Sequence, residues 1–323
     1  MAASAPGKLL LAGEYAVLDG PPAVVVAVNR RAIAHVSDRP QQLSEFLQAA
    51  RDTLATSLGP DHPATVAAAN VVVDSSELRT GDDIKLGLGS SAAATVAAIT
   101  AALAHGNDGE IDRDQLHALA FSAHAAAQAP RGSRGSGADI AACVHGGALV
   151  VKRELVEDEE PIAARAIELP KQLVLVPVWC GAPADTPSLV AKVRQLREAD
   201  RDVYDGAIAQ IAQAATLLIA ACEADDATAA VTAVARGNDV LAQLAGAANV
   251  PLIQPSHVEL AGVAIRCGGS AKPTGAGAGD ISIAAFTSEA DAERFRVEIN
   301  ELGMLLPDLE VDAQGAHVHS PGA

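Results

Sequence analysis

The stretch Lys85-Leu86-Gly87-Leu88-Gly89-Ser90-Ser91-Ala92-Ala93-Ala94 runs a glycine and serine turn directly into an alanine-rich helical pattern that continues to Leu103. The first N–H groups of such a helix have no intrahelical acceptor, and the helix dipole puts partial positive charge at that end, so an anion fits there. Gly87 and Gly89 reach backbone angles closed to other residues and let a bulky group approach. The Ser90 and Ser91 hydroxyls can cap the helix or reach a phosphate-bound Mg²⁺, and Lys85 adds a mobile positive charge. Two readings stand at this point: an ordinary capped helix after a glycine turn, or a seat for phosphate. The pattern lacks the Lys that a P-loop carries after its last Gly, and it is not a spaced dinucleotide fingerprint.

A chain of 323 residues can hold two domains or one large one, with a substantial core. Half of the residues are apolar but only 2% are aromatic, so the interior must be packed with Ala, Val, Leu and Ile. The net charge of −17 argues against a nucleic-acid partner, since the overall field repels a polyanion. A small phosphorylated substrate is still allowed, because a local cluster of Lys, Arg and Mg²⁺ outweighs screened, distant charge. No apolar run reads as long enough to span a bilayer, and the N-terminus lacks a secretory pattern. The expectation is a soluble cytoplasmic protein with no membrane partner, monomer or homodimer. Cys143, Cys180, Cys222 and Cys267 are scattered without metal or redox spacing and read as reduced, buried thiols.

Along the chain, strands are expected at Ala23 to Val28 and Ala32 to Val36, broken by Asn29-Arg30-Arg31, and at Val71 to Val73. Glu45 to Leu58 has helical spacing, and Pro60 and Pro63 interrupt the segment after it. Helices are expected at Ala92 to Leu103, Asp114 to Ala127 and Ile140 to Val144, then a strand at Ala148 to Lys152. The acidic run Glu154 to Glu160 reads as a solvated loop. Leu173 to Trp179 reads as a buried strand. Helices follow at Ser188 to Arg201, Tyr204 to Ala224 and Ala227 to Leu244, with Pro251 and Pro255 bounding the next connection. Ile281 to Phe286 is a strand, Ala290 to Leu302 a helix, and the tail from Gln314 a loosely held segment. The shift to helix-rich sequence near Lys171 divides the chain into expected domains 1–170 and 171–323.

Two further glycine-rich turns stand beside charged residues. One is Pro130-Arg131-Gly132-Ser133-Arg134-Gly135-Ser136-Gly137-Ala138-Asp139, and the other is Gly268 to Asp280 with Gly275-Ala276-Gly277 at its centre. Together with Ala5-Pro6-Gly7-Lys8 through Gly13-Glu14-Tyr15-Ala16-Val17-Leu18, these turns resemble the motifs of the GHMP kinase superfamily, in the family's order. Gly13 to Leu18, Lys85 ahead of its loop, Gly135 to Asp139 with Ala141-Ala142, and Trp179 ahead of Gly181 to Thr186 are most similar to the branch whose acceptor is itself a phosphate monoester.

The resemblance implies an α/β (α+β) fold of two domains, the first like ribosomal protein S5 domain 2 and the second ferredoxin-like, with the active site in the cleft between them. It implies ATP and Mg²⁺ as cofactors and a small phosphorylated molecule as substrate. Asp139 matches the family's catalytic aspartate, and Lys8 the lysine beside it. Taken alone, Asp139 reads better as a helix-capping residue after a glycine turn. Lys85, Gly87, Leu88, Gly89, Ser90, Ser91 and Ala92 are the implied ATP loop, with Ser91 the implied metal ligand. Lys8, Tyr15, Arg131, Arg134, Ser136, Gly137, Gly275, Ala276 and Gly277 are the implied substrate contacts. Arg194 and Arg197 are alternatives that also read as a solvated helix face, and Lys272 as a salt-bridge partner. The competing readings are another member of the superfamily, either a kinase of the unphosphorylated acceptor or the related decarboxylase of the diphosphorylated one, and a catalytically silent ligand-binding paralogue. Two departures stand out. Gln128 occupies the position where a family glutamate helps hold Mg²⁺, and Ala278 stands where glycine is frequent.

Overall fold

The structure is a computed structural model that describes residues 2–39, 41–107, 109–132, 134–153 and 162–319. The expected acidic loop Glu154 to Glu160 lies outside the described residues. In chain order the elements are β1 (Ala2–Ala12), β2 (Ala23–Val36), α1 (Glu45–Leu58), α2 (Pro63–Ala68), β3 (Val71–Asp74), α3 (Ser90–Gly106), α4 (Arg113–Gln128), α5 (Ala138–His145), β4 (Ala148–Arg153) and β5 (Ile162–Ile167). They continue as β6 (Val174–Trp179), α6 (Thr186–Ala199), α7 (Arg201–Glu223), α8 (Ala227–Ala248), α9 (Pro255–Arg266), β7 (Ser270–Pro273), β8 (Ile281–Phe286), α10 (Glu289–Glu301) and β9 (His317–Val318). The mixed helix and sheet composition is the one expected.

Two compact units form, Met1–Leu9 with Val26–Gly147 and Glu310–Ala323, and Leu10–Val25 with Ala148–Leu309. The sequence reading divides the chain once, near Lys171, whereas these units part at Gly147 and exchange segments at β1 and β2. Composition tracks local helix content and carries no trace of which distant segments pair.

In the first unit, β3 pairs antiparallel with β2 from Ile33↔Asp74 to Val36↔Val71, and β9 pairs with β1 at Ala3↔Val318 and Ser4↔His317. The expected break at Asn29-Arg30-Arg31 is absent, and β2 is one continuous strand. Arg31 lies within the strand because its guanidinium is fully used. It donates to Ser4 Oγ at 2.9 Å and to the Gly315 carbonyl at 2.5 Å, and it pairs with Asp312. Arg113 donates to the Gln314 carbonyl at 2.9 Å. The described part of the tail, 314–319, is therefore bonded and paired, contrary to the loose tail expected.

Almost every residue of α3 from Ala92 to Ala104 is buried, because alanines let neighbouring helices approach closely on all sides. A Cβ added at Gly106 would lie 2.9 Å from the Ala64 nitrogen, which shows how near α2 runs. Both Pro63 and Pro255 open helices that the sequence reading left as interruptions. A proline at the first helical position loses no hydrogen bond and has its φ already set.

In the second unit a three-stranded sheet has the order β6-β8-β7, with β8 paired antiparallel to both neighbours. Phe286 and Phe295, with ring centroids 5.1 Å apart, lie in a core with Leu260, Val263 and Ile299. A second cluster joins Tyr15 to Leu189, Tyr204, Ile208, Val240 and Leu244. Helix α7 corrects one expectation, since it is long and apolar enough to cross a membrane by length and composition. Its apolar length comes from alanines as much as from large side chains. Its Ile208, Ile211 and Leu218 are buried in the unit.

A half-buried and a buried histidine make acid stability a test of this packing. Burial and the neighbouring His145 ring push His117 down to about 4, and burial pushes His257 down to about 4, where its Nδ1 accepts from the Gln254 N–H. Both imidazoles are neutral in the fold and protonate near 6.5 when unfolded. Stability is then full above that value and is lost as pH falls toward 4, by an order of 1–3 kcal/mol for the fully buried His257. Urea unfolding at pH 7 and pH 5 should show a lower midpoint at pH 5, with a smaller drop in His257→Gln.

Candidate active site

The turn before α3 is built as an anion seat. Gly89 is its N-cap in the left-handed region at φ 73, and no side chain caps the helix there. The first-turn N–H groups are thus left to a ligand or water. Gly87, at φ 84, makes the preceding bend, and the Lys8 N–H donates to the Leu88 carbonyl at 2.9 Å, which ties β1 to the loop. The Lys8 side chain lies flat on Gly89: a Cβ there would fall 2.9 Å from its Cε and 3.1 Å from its Cγ. Gly89→Ala should therefore push Lys8 aside and strain the turn, lowering turnover by about tenfold or more with little loss of melting temperature. Gly132→Ala has the same φ of 73 but nothing within 4 Å of the added carbon, and should leave turnover near wild type.

The turn before α5 repeats the design. Gly137, at φ 74, is the N-cap, Ser136 Oγ accepts from the Ala138 N–H at 3.3 Å, and Asp139 stands in the first turn, with Oδ1 accepting from the Ile140 N–H at 3.0 Å. Asp139 and Lys8 both act on the same neighbours. The carboxylate favours, and the ammonium opposes, protonation of the buried His124, whose pKa burial lowers. Burial raises the pKa of Cys143, with Asp139 adding to it and Lys8 opposing. Lys8, the loop at Gly87 to Ala92, and Asp139 are thus brought together in the first unit.

The sequence reading missed His124 and Phe46. His124 Nε2 is 3.1 Å from Ser91 Oγ and 4.0 Å from Asp139 Oδ2, and Gln128 Nε2 is 3.1 Å from its Nδ1. Phe46 stacks on the imidazole with centroids 5.1 Å apart. The one available signal was the spacing of His124 and Gln128, four residues apart on one helix face.

The cationic candidates stand further out. Lys85 is exposed and bridges Arg79 across the loop, and Arg134 is exposed on the second turn. Arg131 pairs with Glu45 at 2.6 Å and lies over the Phe46 ring, 5.8 Å from its centroid. Such an exposed pair is worth on the order of 0–1 kcal/mol, so handing Arg131 to a phosphate costs little.

Among the described residues, no group of three or more His, Cys, Asp or Glu is placed to hold a metal. The oxygen donors beside the two turns include the Ser91 hydroxyl and the Asp139 carboxylate, with Gln128 neutral. Such a set fits Mg²⁺ that arrives with most of its ligands on nucleotide phosphates, since this ion is commonly held by one or two protein oxygens and phosphate.

Tyr15, Gly275, Ala276 and Gly277 are brought together in the second unit. The Tyr15 hydroxyl donates to the Ala276 carbonyl at 2.6 Å, so in this state it fastens the third glycine turn. Tyr15 itself is held at φ 61, and Gly277 lies on the Leu252 carbonyl, 2.5 Å from where a Cβ would be. Ala278 adopts φ 62, so the frequent glycine is replaced at a position that needs left-handed backbone. Lys272 is an ion-pair partner, buried against Glu14. Arg197 pairs with Asp19 at 3.5 Å and covers the Tyr204 ring at 5.7 Å.

The family described as GHMP kinases N terminal domain matches residues 46–147, the span that holds the first two turns. Mevalonate kinase of Archaeoglobus fulgidus is 32% identical, over 95% of this chain and 100% of its own. The chain belongs to the GHMP kinase family. Phosphomevalonate kinase of Streptomyces sp. (strain CL190) is 29% identical to this GHMP kinase, over 90% of each chain. Among solved structures, Streptococcus pneumoniae phosphomevalonate kinase in complex with phosphomevalonate and AMPPNP superposes with a TM-score of 0.77 at 20% identity, covering 96% of this chain and 99% of that one. That likeness bears on the fold, and the two-domain GHMP kinase fold is the one expected.

Proposed function

We propose that this GHMP kinase transfers the γ-phosphoryl group of ATP to 5-phosphomevalonate, giving 5-diphosphomevalonate and ADP on the mevalonate route to isoprenoids. The observation that carries the reading is geometric: Lys8 lies on Gly89 at the open helix N-terminus, and Asp139 Oδ2 stands 4.0 Å from His124 Nε2, which is itself 3.1 Å from Ser91 Oγ of the same loop. A cation, an open helix N-terminus and a carboxylate converge there. The full-length likeness to the Streptomyces phosphomevalonate kinase supports the acceptor. So do Gly13 to Leu18 and Gly135 to Asp139, which resemble that enzyme more than mevalonate kinase.

Phosphoryl transfer asks little covalent chemistry of the protein; it asks for alignment and neutralised charge. In this reading the α3 N-terminus receives the nucleotide phosphates through the N–H groups after Gly89. Lys8 stabilises charge on the group in flight. Asp139 accepts a hydrogen bond, or the remaining proton, from the attacking oxygen of the acceptor phosphate. Ser91, with Asp139 nearby, would hold Mg²⁺, which when bound neutralises charge on the ATP oxygens. Lys85, Arg131 and Arg134 supply the extra positive charge that a phosphorylated acceptor needs and an alcohol does not. Ser136 and Gly137 offer polar contacts beside Asp139, and within the second unit Tyr15 and Gly275 to Gly277 are the substrate contacts that the family resemblance implies. The reading carries with it a cytoplasmic enzyme, monomer or homodimer, that needs neither nucleic acid nor a membrane.

ATP consumption measured separately with mevalonate, phosphomevalonate and diphosphomevalonate tests this. Turnover is expected with phosphomevalonate. Turnover with mevalonate alone makes the chain a mevalonate kinase, and none with any acceptor makes it a silent paralogue.

A further inference from the structure

On the reading that this site transfers phosphoryl groups, we infer that His124 is a positioning residue, which fixes the Ser91 hydroxyl and the Asp139 carboxylate relative to one another from beneath the site. A fully buried imidazole, 2% exposed on a helix of mostly small side chains, is costly unless its nitrogens are used. Here both are. Nε2 faces two oxygens, Ser91 Oγ at 3.1 Å and Asp139 Oδ2 at 4.0 Å, while Nδ1 faces the Gln128 side-chain nitrogen at 3.1 Å. Gln128 Nε2 also stands 3.2 Å from Nε2, along the same edge of the ring.

The orientation of the Gln128 amide sets the tautomer in this arrangement. With the Gln128 amide donating to Nδ1, the hydrogen resides on Nε2, where it points at the two oxygens. His124 then donates to Ser91 Oγ and fixes the direction of its remaining lone pair. The two Asp139 oxygens divide their neighbours, Oδ1 taking the Ile140 N–H at 3.0 Å and Oδ2 facing His124. Phe46, stacked at an interplanar angle of 31°, sets the plane of the ring. Four elements thereby converge on one side chain: α1 through Phe46, α3 through Ser91, α4 through His124 and Gln128, and α5 through Asp139. Gln128, neutral where a family glutamate helps hold Mg²⁺, serves here to set the imidazole tautomer.

The inference separates two conservative variants. His124→Gln places an amide where Nε2 lies, and His124→Asn reaches only as far as Nδ1. Turnover of the Gln variant should stay within about threefold of wild type, whereas the Asn variant should lose about tenfold to a hundredfold in kcat with the KM for the acceptor little changed. Calorimetric ADP binding, with and without Mg²⁺, gives a readout independent of turnover. The gain in affinity that Mg²⁺ brings should shrink in His124→Asn and persist in His124→Gln. Where the Asn variant does not fold, the comparison passes to His124→Leu,Ser91→Ala against its single variants, since Leu fills the imidazole volume under Phe46 and removes Nε2. Their effects on kcat should be non-additive by about fivefold or more. Equal turnover for Gln and Asn, an unchanged Mg²⁺ effect in both, or strict additivity with Ser91→Ala overturns the inference. The comparison runs on whichever acceptor the wild type phosphorylates. Loss of phosphomevalonate turnover in the wild type strikes at the substrate reading and leaves the His124 result to stand or fall by itself.

Discussion

Asp139→Asn should lower kcat by about 10²–10⁴-fold while leaving the protein folded. Asparagine keeps the acceptor oxygen that takes the Ile140 N–H at 3.0 Å, so the turn into α5 is preserved. What is lost is negative charge in the first helical turn, a stabilisation of about 0.3–1 kcal/mol, which is small against the expected kinetic effect. The variant also removes the charge that opposes Lys8, so ATP should bind no more weakly than in wild type, and the KM for ATP should be nearly unchanged. Steady-state kinetics beside thermal melts check both halves. Wild-type kcat in a folded Asn variant would remove Asp139 from the chemistry.

The second large effect falls on stability. Lys272, 2% exposed on β7, pairs with Glu14, also 2% exposed, and donates to the Pro273 carbonyl at 2.8 Å. Helix α8 passes so close that a Cβ on Gly237 would lie 3.0 Å from the Lys272 Cδ, so the long stem fills a space of fixed size. Lys272→Met keeps that volume but leaves a carboxylate buried without its partner, which should cost about 3–5 kcal/mol in urea unfolding. Adding Glu14→Gln removes the stranded charge, and the double variant should recover most of the loss. Glu14 adjoins Tyr15, whose hydroxyl fastens Ala276, so the single variant should also raise the KM for the acceptor. A single variant as stable as the wild type would mean that the pair is not buried together.

The two glycine turns before α3 and α5 were legible because left-handed backbone, at φ 73 and φ 74, calls for glycine, and because Asp139 follows in the first turn of α5. Glu45–Leu58 and Ile281–Phe286 were legible to the residue, since one has clear helical spacing and a Ser44 cap and the other is a short run apolar at every position but Ser282. Pro63 and Pro255 misled because proline opens a helix as readily as it ends one. Arg31 misled because its charge is answered by Asp312, hundreds of residues away, and no local pattern carries that partnership. His124 was invisible for the same reason. A single histidine among alanines acquires meaning only once Ser91, Gln128, Asp139 and Phe46 surround it. The Tyr15 bond to Ala276 joins two motifs that the sequence reading named separately.

The acceptor is the central claim, and phosphorus NMR of the reaction mixture tests it most directly. With ATP, Mg²⁺ and 5-phosphomevalonate, the monoester resonance should disappear as a coupled pair of diphosphate resonances grows in step with ADP, while mevalonate in a parallel tube stays unphosphorylated. A new monoester resonance from mevalonate, with phosphomevalonate left unchanged, would contradict the account.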